Sequence, residues 1–447
     1  MAKARILHIT PHMGGGVGKV IAGLAARDPG LHSVVLLEEP VNHQFIESSQ
    51  AADTQIIVQP EEQILAEMMA RAEMVILHWW HNPNMARLLA HFPSPEVRLV
   101  IWSHISNLTV PALNPEFILR ANMLWFASPA SFEAEVFSKV PQELLRERCA
   151  VVYGSGLDAS AAIPRTLHEG FNIGYIGLLD FSKLHPDYLS FCKSVDLPGV
   201  RFIMAGDGAV RELIEKQVHS ALPGIPFEFP GYVKDVPALL SRLDVFGYPI
   251  MPQHTCATEN AIFEAMAAQV PPVLLRQLTE KYVVKDGDTG ILVSGPKEYG
   301  EAMRYLFEHP RERLEMGERA RRHVLETYSL YKVGSMFESA VEKTMKTPKK
   351  RTEFRSFMGE TPAEWFISCL GRDKERFQRS FEAGLTGQTP EIRENLLSCS
   401  PLMKMEKKAS AIQYAELFPD DPMLAFWGKL LRYDLNSSGI PGGQAVL

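Results

Sequence analysis

The chain has 447 residues, 46% of them hydrophobic and 22% charged, with a formal net charge of −7. That length calls for two or three domains, each with its own core, and the mildly acidic balance excludes general nucleic-acid binding, which needs a basic stripe. Five scattered cysteines (Cys149, Cys192, Cys256, Cys369, Cys399) form no CxxC pair, which points to a reducing cytosol rather than a disulfide scaffold or zinc site.

No run approaches the roughly eighteen apolar residues of a membrane span, and the chain starts directly in a strand-like run, so no signal peptide is expected. Short Val/Ile/Leu-rich runs then alternate with helical patterns, the pattern of a parallel-sheet α/β architecture. Strands are predicted at 4–10, 33–37, 55–58, 74–77, 98–102, 124–127 and 150–153. A polar stretch over 154–170 breaks the alternation. It resumes with strands at 172–176, 201–205, 226–229, 244–248, 272–275 and 290–293. This divides the chain into an N-terminal domain over 1–165 and a second over 166–345, whose last helices are free to cross back to the first. The run Lys346-Thr347-Pro348-Lys349-Lys350-Arg351 reads as a solvated linker opening a helical extension over 346–447. Trp365, Phe377, Phe381, Tyr414, Phe418, Phe426 and Trp427 are its candidate core aromatics, and the tail from 436 is expected to fray. Two open sheets joined by a linker form a cleft, with ligands beyond the carboxyl ends of the strands.

Several segments at those strand ends carry chemistry. After the first strand comes Pro11-His12-Met13-Gly14-Gly15-Gly16-Val17-Gly18-Lys19, whose glycines let a backbone approach phosphate at a helix N-terminus. It is neither a Walker A loop, because Met13 and Val20 stand where Gly and Ser or Thr belong, nor a full GxGxxG, because Lys19 or Ile21 takes the third glycine's place. Glu38-Glu39 end the second strand, so a dinucleotide loop stays open beside a plain turn. His78-Trp79-Trp80-His81 places aromatic faces suited to a sugar, or to core packing, after the fourth strand; no carboxylate or thiolate nearby supports a metal site there. His104, closing the fifth strand, can hydrogen-bond and position a sugar hydroxyl; the alternative is a satisfied core histidine.

In the second half, Gly174-Tyr175-Ile176-Gly177 leads to Lys183, placed to neutralise a departing diphosphate. His254 to Ala268 reads as a polar loop opening into a helix, with Thr258 as N-cap and Ile262, Met266 and Val270 as its buried stripe. Asn260 and Glu264 share another, polar face. The helix N-terminus attracts phosphate, and Glu264 can accept both hydroxyls of a ribose. Asp286-Gly287-Asp288 reads as turn chemistry before a strand rather than as a metal-binding DxD.

Glu264-Ala265-Met266-Ala267 followed by Pro272-Val273, together with Phe229-Pro230-Gly231-Tyr232-Val233 and the two glycine-bearing loops, resembles retaining nucleotide-sugar glycosyltransferases of family 4, the glycosyltransferase group 1 set, over roughly residues 4–330. The resemblance implies a GT-B fold, two Rossmann-like domains facing a cleft, here with a helical C-terminal extension. It implies metal-independent transfer with retention, no cofactor, a UDP- or GDP-sugar donor and a carbohydrate, lipid-linked or small-molecule acceptor. Lys183 and His104 are then the catalytic candidates, His104 orienting the sugar. Gly15, Gly16, Val17, Gly231, Tyr232, Val233, His254, Thr258, Glu259, Asn260 and Glu264 are the donor-binding candidates, and His78, Trp79 and Trp80 face the acceptor. A cytoplasmic enzyme, with the inner membrane face as a peripheral location and the extension as a route to a homo-oligomer, completes the expectation.

Two departures are visible. Leu178 and Leu179 stand where the family carries an arginine, and Cys256 occupies the position eight residues before Glu264 where many members place a second glutamate. Glu259 lies about 140° from Glu264 around a helix rather than the ~80° of that pair. An epimerase or phosphorylase of the same architecture, or a non-catalytic sugar-binding scaffold, are the competing readings.

Overall fold

A computed structural model describes residues 4–93, 95–158, 163–208, 210–385, 389–406 and 409–437. The chain forms two compact units. The described residues of the first lie within 4–156, 255–258 and 333–437, and those of the second within 157–254 and 259–332.

The first unit is built on seven parallel strands, β1 (Ile6–Thr10), β2 (His32–Leu36), β3 (Gln55–Val58), β4 (Met74–Trp79), β5 (Leu99–Ser103), β6 (Met123–Phe126) and β7 (Cys149–Val151), in the order β3-β2-β1-β4-β5-β6-β7. The second carries β8 (Phe171–Ile176), β9 (Val200–Ala205), β10 (Phe227–Gly231), β11 (Val245–Tyr248), β12 (Pro272–Leu275) and β13 (Ile291–Val293), in the order β10-β9-β8-β11-β12-β13, again parallel. Every predicted strand forms, because near-continuous apolar runs are what a sheet covered on both faces requires. β4 runs on to Trp79, beyond the expected end at 77, because its last two side chains stay buried. In each sheet the strand order reverses once, between β1 and β4 and between β8 and β11. The loops leaving those strands therefore diverge and leave a crevice at their carboxyl ends.

The first core gathers Ile6, Val20, Leu24, Ile76, Val100, Trp102 and Trp125 with Val333, Phe337 and Ala340. Those last three come from the Leu330–Met345 helix. The region after it belongs to the same unit. Phe366, Phe377, Tyr414 and Trp427 are fully buried, while Phe381, Phe418 and Phe426 are only partly so. Tyr414 lies tilted against His81, Phe354 tilted against Phe117 and Trp365 edge-on to His91.

The expected solvated linker is instead a strap. Val97 and Lys350 exchange backbone hydrogen bonds at 3.0 Å, Arg98 Nε and Asn122 Nδ2 donate to the carbonyls of Thr347 and Pro348, and Lys349 Nζ donates to Ala72 O. Lysines signal solvent only when their ammonium groups find none of the sheet's spare carbonyls. Of the tail expected to fray, residues 438–447 lie outside the described residues. Among the described residues, no helix is long and apolar enough to cross a membrane.

Candidate active site

In the second unit the loop after β8 is fixed by its backbone. Leu179 N donates to Asp207 O, Lys183 N to Asp180 O and Met251 N to Lys183 O, and Leu184 bridges Ile250. This holds Lys183 beside the end of β11, its Nζ 5.9 Å from the Tyr248 ring centroid. Its ammonium donates to Glu259 Oε2 at 2.5 Å, and Tyr248 Oη donates to the same oxygen at 3.1 Å. Glu259 is buried, and a charge there needs such partners.

The helix predicted to open at Thr258 starts one residue later than that cap requires: it spans Asn260–Ala267, with Glu259 at the N-cap and no side-chain cap bond. The displacement has a cause. Residues 255–258 pack in the first unit, where Cys256 bridges Ile105 and Ser106 N donates to Thr255 O at 2.8 Å, and the Glu259 carboxylate is held by Lys183 and Tyr248 rather than by the helix. Asn260 Oδ1 is buried without a hydrogen-bond partner among the described residues. Ile262, Met266 and Val270 are buried as the periodicity requires, and Glu264 is half-buried on the other face.

On the other side of β8, Gly231 adopts φ +72°, a conformation in which a side chain is strained. Tyr232 N donates to Asp207 Oδ2 at 3.1 Å while its ring stands 64% exposed, and Val233 is half-buried. Of the two leucines in the region where the resemblance implies an arginine, Leu179 is fully buried and Leu178 exposed. His254 is not available to a ligand as expected: its ring is buried and Nε2 lies 2.8 Å from Glu280 Oε1. Asp286 and Asp288 close a turn, Asp286 Oδ1 accepting from Leu292 N at 2.9 Å and Asp288 pairing with Arg319 at 2.8 Å.

In the first unit the loop after β1 runs into the Gly15–Arg27 helix, whose N-cap Gly14 makes no side-chain cap bond. Gly15 has φ +63° with open space where a Cβ would stand, so the backbone, not packing, demands glycine. Gly16 and Val17 follow it half-buried. His104 sits at the end of β5, and a Cβ on Gly154 would lie 2.9 Å from Thr258 Oγ1 and 3.3 Å from His104 Nδ1. Thr258 and His104 therefore converge over a glycine.

The acceptor candidates divide. Trp80 is half-buried, edge-on to His12 at 5.2 Å. Trp79 is 1% exposed and packs towards Phe117, so its ring is core. His78 is buried with both ring nitrogens engaged, Nδ1 2.8 Å from His104 Nε2 and Nε2 2.8 Å from His8 Nδ1. His8 Nε2 in turn lies 2.8 Å from His32 Nδ1. Burial pulls the His104 pKa down to about 3 and those of His8 and His78 well below 6.5. Among the described residues no group of three or more His, Cys, Asp or Glu side chains could hold a metal ion.

Sequence reading missed this string and the Lys183–Glu259–Tyr248 group. The first leaves a faint signal, single histidines inside apolar strands. The second pairs residues 76 apart and leaves none.

Residues 171–309 match the family described as Glycosyl transferases group 1. Apart from 255–258, the matched residues all lie in the second unit. Solved structures agree in fold. Anabaena Alr3699/HepE, in complex with UDP and glucose, is 16% identical with a TM-score of 0.61, covering 76% of this chain and 100% of that one. A glycosyltransferase from Rickettsia africae ESF-5 is 12% identical at a TM-score of 0.59, covering 78% and 100%. The apo form of the lipopolysaccharide outer core galactosyltransferase WaaB is 14% identical at 0.56, covering 75% and 99%. No curated protein matches the chain. The shared fold is a GT-B architecture, here with a helical C-terminal region.

Proposed function

We propose that the chain transfers a sugar from a UDP- or GDP-linked donor to an acceptor hydroxyl with retention of anomeric configuration and without a metal. The observation that carries the reading is Lys183, at the switch point of the group 1 domain, its ammonium beside the first turn of the Asn260–Ala267 helix. When the glycosidic bond breaks, charge collects on the diphosphate. Lys183 and the amides of that turn are the groups that stabilise it, and the phosphate then competes with Glu259 for the ammonium. Glu264 accepts the ribose hydroxyls, Gly231, Tyr232 and Val233 meet the base, and Asn260 offers an amide oxygen without a partner among the described residues. In the first unit His104 and Thr258 orient the sugar, the Gly15–Val17 backbone serves the donor phosphates and Trp80 serves the acceptor. Cationic Lys183 fills the role a metal has in other transferases, while Asp286 and Asp288 are committed to their turn.

The structure of Alr3699/HepE in complex with UDP and glucose supports a UDP-sugar as the first donor to try. The acceptor class is a carbohydrate, lipid-linked or small-molecule hydroxyl, and the site of action is the cytoplasm. The test is a panel of UDP- and GDP-sugars incubated with the protein and an alcohol acceptor, read by mass spectrometry and by NMR of the anomeric carbon. A product of unchanged anomeric configuration that forms in chelator supports the proposal. An inverted product, an epimerised donor, a sugar phosphate or no turnover overturns it.

A further inference from the structure

The four linked histidines lie on a staircase across the first sheet. The register pairs Ile6 with His32, His8 with Ile76 and His78 with Trp102. Each histidine therefore stands two residues further along its strand than its neighbour, from β2 through β1 and β4 to the end of β5. A step of two keeps every ring on one face and within diagonal reach of the next. The contacts are all of one kind, Nδ1 to Nε2 at 2.8 Å: His32 to His8, His8 to His78, His78 to His104. Trp102 packs 5.2 Å from His78 and 4.9 Å from His104, and Phe337 lies 6.4 Å from His8 and 6.1 Å from His32. These are hydrogen bonds and not a vacant metal site: two nitrogens on one tetrahedral zinc stand about 3.3 Å apart at bond lengths of ~2.0–2.1 Å.

A neutral imidazole donates from one nitrogen and accepts at the other. In a string joined only Nδ1 to Nε2, two neutral states satisfy every contact: all four rings protonated on Nδ1, or all four on Nε2. Any mixed state sets two lone pairs or two N–H groups face to face in a dry core, which costs a buried bond. We propose that His32, His8 and His78 are positioning residues that lock the tautomer of His104, so that its site-facing Nδ1 is held as a donor or as an acceptor by a group three strands away. Switching His104 from one to the other needs all four protons to move together. The string thus acts as a selector for which hydroxyl geometry His104 accepts. The use made of it rests on His104 meeting the sugar; the coupling itself does not.

The test is ring-nitrogen NMR of the full chain labelled with 15N-histidine, without any donor. The expected wild-type spectrum gives all four rings the same tautomer, none charged at neutral pH. His32→Leu leaves His8 Nε2 facing carbon, as an orphaned N–H in one state and an orphaned lone pair in the other, and should shift the His104 ratio towards the Nδ1-protonated form, because a buried N–H without a partner is the costlier of the two. His8→Leu should cut the string, so that adding His32→Leu to it changes nothing further at His104. Opposed tautomers on neighbouring rings, a charged ring, or a His104 ratio indifferent to His32 while His8 is intact would each overturn the proposal. If the variants do not fold, the wild-type pattern alone decides. A failure here leaves glycosyl transfer untouched, and failed transfer leaves the tautomer pattern standing.

Discussion

The two sheets place polar side chains at the same topological point with opposite chemistry. Beside β1 and β4 the first unit uses uncharged imidazoles whose polar atoms satisfy one another within an apolar wall. Beside β8 and β11 the second uses full charges closed into a pair, Lys183 with Glu259. A buried charge pair is weak evidence of stability and strong evidence of a need for charge. The difference fits the partners proposed for each unit, a neutral hydroxyl-bearing sugar for the first and a diphosphate for the second.

Removing everything after Lys350 tests whether the first unit stands alone. It strips Phe354, Phe366 and Tyr414 from Phe117 and His81. Large buried aromatics cost about 3–5 kcal/mol each when deleted, against a total stability of ~5–15 kcal/mol. The first unit should therefore unfold, while the second, which takes no described residue from this region, keeps its nucleotide affinity. Hydrogen exchange and nucleotide titration on one sample check both halves, and a protected first sheet in the truncated chain would sink the prediction.

Acid offers a graded version. His8, His78, His81 and His104 all have pKa values drawn below 6.5 by burial, the last two to about 3. The unfolded chain binds protons at these rings below about pH 6.5 and the folded unit does not. Their contribution is complete above that pH and is lost as pH falls towards 3, by about 1.4 kcal/mol per pH unit for each ring. In the second unit the half-buried His185 and His323 show the same direction. Urea melts from pH 7 to 5 should show the first unit weakening faster; parallel losses would dissolve the contrast.

Lys183→Ala probes the charged side. Turnover should fall by on the order of 10²-fold with a smaller change in donor affinity, because the charge that Lys183 meets grows as the bond breaks. A raised Michaelis constant with unchanged turnover would make Lys183 a ground-state contact.

The strands were legible because apolar runs of that length have one use in an α/β chain. His254 misled because a polar loop residue gives no hint of a buried carboxylate 26 positions on, and Trp79 because a strand's end cannot be told from its last buried turn. The strap at 347–350 misled for the reverse reason, since its lysines satisfy carbonyls that only the folded sheet presents. Pairings across strands, such as Lys183 with Glu259, depend on register and chain order together and lie beyond local pattern.

Glu264→Ala is the smallest and most local change. Its side chain sits half-buried on the face of the Asn260–Ala267 helix away from Ile262 and Met266, so its removal opens no core cavity. Ala is also the better helix former, and the fold should be unaffected. If Glu264 accepts the ribose hydroxyls, losing one charged acceptor should weaken nucleoside diphosphate binding by about 1–3 kcal/mol. Because the ribose is remote from the breaking bond, the loss should fall equally on substrate and transition state, leaving turnover at saturating donor intact. Lys183→Ala should show the opposite split, so the two variants together separate holding the donor from releasing it. Calorimetric titration with UDP and with GDP reads the affinity. Unchanged binding of whichever nucleotide the wild type prefers would remove Glu264 from the site. A fall in turnover equal to the fall in affinity would move it next to the reacting atoms.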